Sequence, residues 1–168
     1  MVLEHRKKYI AQLANVIRSN FNITTPVRRE DFNQIVQILK GELNYRDNLD
    51  YEAKIERDNE SFIISVDNSK PENRQRFSLA HELGHLFIHM KRLDENYWKN
   101  NVIEDSAYFR YGRGIEESEA NEFAGAFLMP EDEFMKLYYN DYNITDISKH
   151  FNVSEAAVYM RGKNLNLW

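Results

Sequence analysis

The chain has 168 residues, with Lys+Arg 22 against Asp+Glu 27 and a formal net charge of -5 at pH 7. Its 42% hydrophobic and 29% charged residues exclude a disordered chain, and the acidic balance argues against direct nucleic-acid binding through bulk charge. Cys 0 excludes disulfides, thiol catalysis and thiolate metal sites.

No run approaches the roughly 18 apolar residues of a membrane span. The start, with His5, Arg6, Lys7 and Lys8 in a row, lacks the apolar centre of a signal peptide. A cytoplasmic protein with no membrane partner is expected. From Leu3 to Phe21, the residues Ile10, Leu13, Ala14, Ile17 and Phe21 recur at helical spacing. A second helix is predicted from Pro26 to Lys40, capped by Thr25 and ended by Gly41. Tyr51, Ala53 and Ile55 alternate with polar residues, Asp58-Asn59-Glu60 reads as a turn, and Phe62, Ile64 and Val66 resume the alternation. This predicts a β-hairpin over Tyr51–Val66.

Ser69 to Glu72 has the S-x-x-E form of a capping box, opening a helix to about Met90. Phe77, Ala80, Leu83, Phe87 and Met90 share one arc of it and face a core. Residues 91–114 read as a long connection bearing Tyr97, Trp98, Tyr108, Phe109 and Tyr111. A helix over Ile115–Leu128 stops before Pro130, which opens another. Two short helices, Asp146–Phe151 and Ser154–Leu165, follow.

Chemistry concentrates in His81-Glu82-Leu83-Gly84-His85, an H-E-x-x-H sequence inside the Ser69–Met90 helix. Residues i and i+4 share a helical face, so two imidazoles can converge on one ion at the ~2.0–2.1 Å of zinc–nitrogen bonds. Glu82 is rotated off that pair, placed to accept a proton from an activated water without ligating. A zinc site needs a third ligand. On a wheel with Glu117 at 0°, Asn121 falls at ~40°, Ala124 at ~340° and Ala120 at ~300°, whereas Glu119 (~200°) and Glu122 (~140°) face away. Glu117 is thus the candidate third ligand on an alanine-lined side, and Asn121 can orient a ligand by a hydrogen bond. An acidic first turn complementing the helix dipole explains Glu116, Glu117 and Glu119 equally well when taken alone. His89 lies ~12 Å along the axis from His81, too far to share the ion easily. His5 and His150 are expected at the surface. Tyr108, Tyr111 or Arg113 could steady an oxyanion, but their spacing selects none of them.

Arg76-Phe77-Ser78-Leu79-Ala80-His81-Glu82-Leu83-Gly84-His85, with Glu117-Ser118-Glu119-Ala120-Asn121-Glu122-Phe123-Ala124 and Phe127-Leu128-Met129-Pro130, resembles the ImmA/IrrE family of zinc metallo-endopeptidases over roughly residues 62–165. The resemblance implies zinc (Zn2+) on His81, His85 and Glu117, Glu82 as the catalytic glutamate, and a helix-turn-helix repressor as protein substrate, whose cleavage relieves repression. Residues 147–158 also read as a helix-turn-helix, with Tyr159, Arg161 and Lys163 on its second helix and Gly162 where similar tails carry leucine. A DNA-reading helix wants basic or amide side chains at its start, and Glu155, Ala156 and Ala157 offer none.

The expected architecture is α+β: a zincin-like metalloprotease domain over 1–142 with a small antiparallel sheet, and a C-terminal helix pair over 143–168 packed on it. Competing with the endopeptidase are a non-proteolytic zinc-containing regulator or toxin–antitoxin component acting by protein binding, and a DNA-binding protein. The intact Glu82 disfavours the former, since a structural zinc site needs no base.

Overall fold

The computed structural model describes residues 1–101 and 114–168. Helix α1 (Glu4–Asn20) buries Ile10, Ala14 and Ile17 along the expected stripe. Helix α2 (Arg29–Ile38) begins later than the Thr25 cap predicts. Asp31 accepts the Arg28 N–H at 2.8 Å and closes the first turn there, while the Thr25 hydroxyl donates to Glu133 at 2.7 Å. Gly41 allows a close approach: a Cβ on it would lie 2.3 Å from the Phe62 ring.

Strands β1 (Glu42–Arg46), β2 (Ala53–Asp58) and β3 (Ser61–Asp67) form one sheet in the order β1-β3-β2. The β2–β3 pair is the predicted antiparallel hairpin, with Ile55 opposite Ile64. β1 lies parallel to β3, so the sheet is mixed rather than wholly antiparallel. β1 carries no sequence signal of its own, because its five residues have no buried member to set an alternation. β2 is left as an outer strand. The Asp67 N–H donates to the Glu52 carbonyl at 2.8 Å, so by antiparallel alternation the backbone groups of Ala53, Ile55 and Arg57 point away from β3.

Helix α3 (Glu72–Gly84) continues through a π turn (His85–His89), where the Met90 N–H donates to the His85 carbonyl at 2.9 Å. The expected Ser69–Glu72 capping box does not form. Pro71 is the N-cap, and the Ser69 N–H and hydroxyl both turn back to Asp67, at 2.9 and 2.6 Å. Within the expected connection after Met90 lies a short helix, α4 (Glu95–Asn100), capped by Asp94 and burying Trp98 against Phe62. Tyr108, Phe109, Tyr111 and Arg113 lie outside the described residues.

Helices α5 (Ile115–Leu128), α6 (Glu131–Tyr139), α7 (Ile144–Phe151) and α8 (Glu155–Asn164) complete the chain. One hydrophobic core runs from Ile10 and Ile17 through Phe62, Leu83, Phe123 and Phe127 to Phe151 and Val158. The C-terminal pair is held by stacked Phe134 and Phe151, and by Arg161, which donates to the Met129 carbonyl and to Glu122. Arg161 is buried, at 3% exposure, and its guanidinium is engaged within the fold. At Gly162 the Trp168 indole takes the space of a side chain, since a Cβ there would lie 2.0 Å from its ring. No helix of the described residues is long and apolar enough to cross a membrane.

Candidate metal centre

The centre is built where α3 crosses α5. Small residues set the spacing: a Cβ on Gly84 would lie 3.0 Å from the Ala120 Cα. His81 and His85, one turn apart on α3 and its π extension, then face Glu117 and Asn121, one turn apart on α5. Nε2 of His81 is 3.2 Å from Nε2 of His85 and 3.1 Å from Glu117 Oε2. Nε2 of His85 is 3.0 Å from Glu117 Oε1. Donors around a tetrahedral ion with bonds of about 2.0–2.1 Å stand about 3.3–3.4 Å apart. Two imidazoles and one carboxylate are thus already at ligand spacing, and among the described residues these three form the group able to hold a metal ion.

The hydrogen bonds around the cluster favour the same use. Nδ1 of His81 donates to Asn121 Oδ1 at 2.8 Å, which leaves the Nε2 lone pair aimed at Glu117. Asn121 thus hydrogen-bonds the ring of a candidate ligand, the position the helical wheel gives it. His85 is held neutral, its pKa pushed down to about 3 by burial and by the neighbouring His81 and His89 rings. Electron pairs from two rings and a carboxylate converge on one point, and a cation is the natural occupant.

Glu82 is 8% exposed. Its carboxyl is pushed up to about 8, first by burial and then by the Glu117 charge, against the pull of a hydrogen bond from the Ile55 N–H on β2. The sequence-predicted base therefore sits beside the cluster and against the outer strand. A cavity of about 500 Å³ adjoins Asn121 between α3, α5 and α8, with Phe77, Met129, Val153 and Met160 on its walls.

Sequence reasoning missed one part of the site. His89 lies beyond the ligand cluster, as expected, but its Nδ1 is 2.8 Å from Nδ1 of His85. Its Nε2 is 2.9 Å from Glu119 Oε2. Extending the i, i+4 rule one step past His85 would have found His89. Nothing local could have found Glu119, whose carboxylate is also bound by Arg6 of α1. Glu119 and Glu122 do face away from the metal cluster, as the wheel places them, yet both are buried. His150 is at the surface, as expected, where it meets Glu133 at 2.7 Å.

A helix carrying H-E-x-x-H, a second helix supplying a carboxylate and a small sheet alongside define the zincin-like α+β class of metallopeptidase folds. Residues 29–163 match the Peptidase_M78 family, described as the IrrE N-terminal-like domain, and the chain belongs to that family. A solved Mycobacterium tuberculosis transcriptional regulator shares the fold, with a TM-score of 0.61 at 19% identity. The match covers 90% of this chain and 45% of that one, so this chain spans less than half the regulator's length. No curated protein matches.

Proposed function

We propose that the protein is a zinc-dependent endopeptidase of the cytoplasm that hydrolyses a peptide bond in a helix-turn-helix repressor and so relieves repression. One observation carries the enzymatic part: His81, His85 and Glu117 stand at ligand spacing with the buried Glu82 beside them. Zinc held by these three residues would supply Lewis acidity, polarising a carbonyl and lowering the pKa of an attacking water toward ~7. Every other part falls to the chain's own side chains. Asn121 keeps the His81 ring in its binding orientation. Glu82, which a cation on these three residues would return toward its ionised form, takes the proton of the attacking water and passes it to the departing amine nitrogen.

The substrate backbone can pair with the outward-facing groups of β2 other than the Ile55 N–H, which Glu82 holds, as extended peptides do at sheet edges. Its apolar side chains then have the cavity beside Asn121 available. The repressor as substrate is supported by the family resemblance, and the M. tuberculosis regulator of similar fold is itself a protein of transcription.

The test incubates the zinc-loaded chain with candidate helix-turn-helix repressors, any encoded beside it first, and follows cleavage by mass spectrometry. Wild type is expected to cut at a defined bond. Glu82→Gln is expected to keep zinc while losing about 10²–10⁴-fold in rate, the usual worth of a positioned acid–base group. Undiminished cleavage by Glu82→Gln would remove the proposed base, and an intact repressor would leave the non-proteolytic regulator as the better reading.

A further inference from the structure

We propose that Arg6, Glu119 and His89 form a positioning relay that fixes the ring of His85 as a metal ligand, making helix α1 part of the metal centre. The proposal rests on the metal-binding reading above. Helix α1 lies ahead of the matched family span, which begins at residue 29.

The relay follows from donor and acceptor chemistry taken outward-in. Arg6 donates to Glu119 from Nε at 2.7 Å and from Nη2 at 3.3 Å, a two-pronged grip. A carboxylate so held accepts and does not donate, so Nε2 of His89, 2.9 Å from Oε2, carries its ring hydrogen. With that hydrogen placed, Nδ1 of His89 presents a lone pair. It faces Nδ1 of His85 at 2.8 Å. Two lone pairs cannot share that separation, so Nδ1 of His85 is the donor. What remains on His85 is the Nε2 lone pair, on the atom that stands 3.0 Å from Glu117. Placing the His85 hydrogen on Nε2 instead would close the ligand position and leave the lone pair of His85 Nδ1 facing that of His89 Nδ1 at 2.8 Å.

The two ligand rings are oriented by unlike means. His81 depends on Asn121, an exposed residue. His85 depends on a dry file of side chains, 3% exposed at His85, 7% at His89 and 9% at Glu119. A buried polar file is tolerated only when each member is satisfied, and satisfying this one draws on three separate parts of the chain.

Nitrogen-15 NMR of the imidazoles in the full chain, metal-free and zinc-loaded, reads the tautomers directly. The expected pattern is Nδ1–H on His85 and Nε2–H on His89, and a His85 ring carrying its hydrogen on Nε2 overturns the relay. Zinc affinity by chelator competition supplies the second readout. His89→Phe is expected to weaken it by about 10–100-fold and Arg6→Ala by about 3–10-fold, with Arg6→Lys recovering part of that loss. Lys8→Ala, at an exposed position of the same helix, should leave it unchanged. Wild-type affinity in His89→Phe also overturns the relay. A wild-type chain that takes up no divalent ion would instead sink the metal reading, and the tautomers would still judge the relay on their own.

Discussion

Glu82 on α3 and Glu122 on α5 are buried to nearly the same degree, at 8% and 7% exposure, yet they occupy opposite electrostatic settings. Glu122 meets Arg161 at 3.2 Å and the Asn164 amide at 2.9 Å. Glu82 has the Glu117 charge nearby and one backbone N–H for relief. Burial raises the pKa of both carboxyls. At Glu122 a guanidinium works against that rise; at Glu82 a second carboxylate adds to it. The sign of the neighbour thus separates a brace between α5 and α8 from a group ready to exchange a proton. A divalent cation among His81, His85 and Glu117 would return Glu82 toward its ionised form, because an opposite charge favours the charged state.

The largest effect is expected on the brace. Arg161→Met strands Glu122 without its cation and should destabilise the chain by about 3–5 kcal/mol, read by urea melts. Adding Glu122→Leu should recover most of that loss, since burial also pushes the Arg161 pKa down and an apolar pair escapes the desolvation cost. A double variant as unstable as the single would erase the contrast between the two sites.

Next in size is the pH dependence of metal-free stability. An unfolded glutamate ionises near 4.5, whereas Glu82 in the fold ionises at about 8. The folded state therefore binds more protons between those values, and stability falls as pH rises through them. Melts of metal-free wild type at about pH 5.5 and about pH 7.5 should differ from those of Glu82→Gln by on the order of 2–3 kcal/mol, with wild type losing more at the higher pH. Parallel curves would show that Glu82 is not held out of its ordinary range.

The smallest effect is steric. Gly84→Ala places a methyl 3.0 Å from the Ala120 Cα and 3.2 Å from its carbonyl oxygen. Overpacking of this kind should cost about 1–3 kcal/mol. It should also spread α3 from α5, lowering zinc affinity in proportion; unchanged affinity would detach helix spacing from ligand spacing.

Most of the site was legible because it depends on helical period alone. His81, His85, Glu117 and Asn121 needed only the 100° step and two helix boundaries, and α5 begins and ends where Gly114 and Pro130 place it. What escaped depends on contacts distant in sequence. The wheel turned Glu119 and Glu122 away from the His81–His85–Glu117 cluster, but it could not see that α1 and α8 wait on those sides with Arg6 and Arg161. β1 escaped because its partner in a parallel pair is β3, with β2 lying between them in sequence. The missed Ser69 box is a matter of competition: Asp67 bids for the same hydroxyl and N–H from two residues away. The IrrE-like family match spans residues 29–163, which takes in His81, His85 and Glu117 and leaves α1 outside.

The place of α1 outside the matched span bears on how the molecule can be cut. Ile10, Ala14 and Ile17 of α1 are fully enclosed, and Arg18 reaches across to the Phe127 carbonyl at 2.6 Å. A fragment trimmed to the boundaries of the recognisable family would strip one wall from Phe127 and leave that carbonyl bare. The smallest piece expected to fold is thus larger than the piece that similarity detects, and protease nicking ahead of residue 29 is expected to act as an off-switch on the whole body rather than as the loss of an ornament.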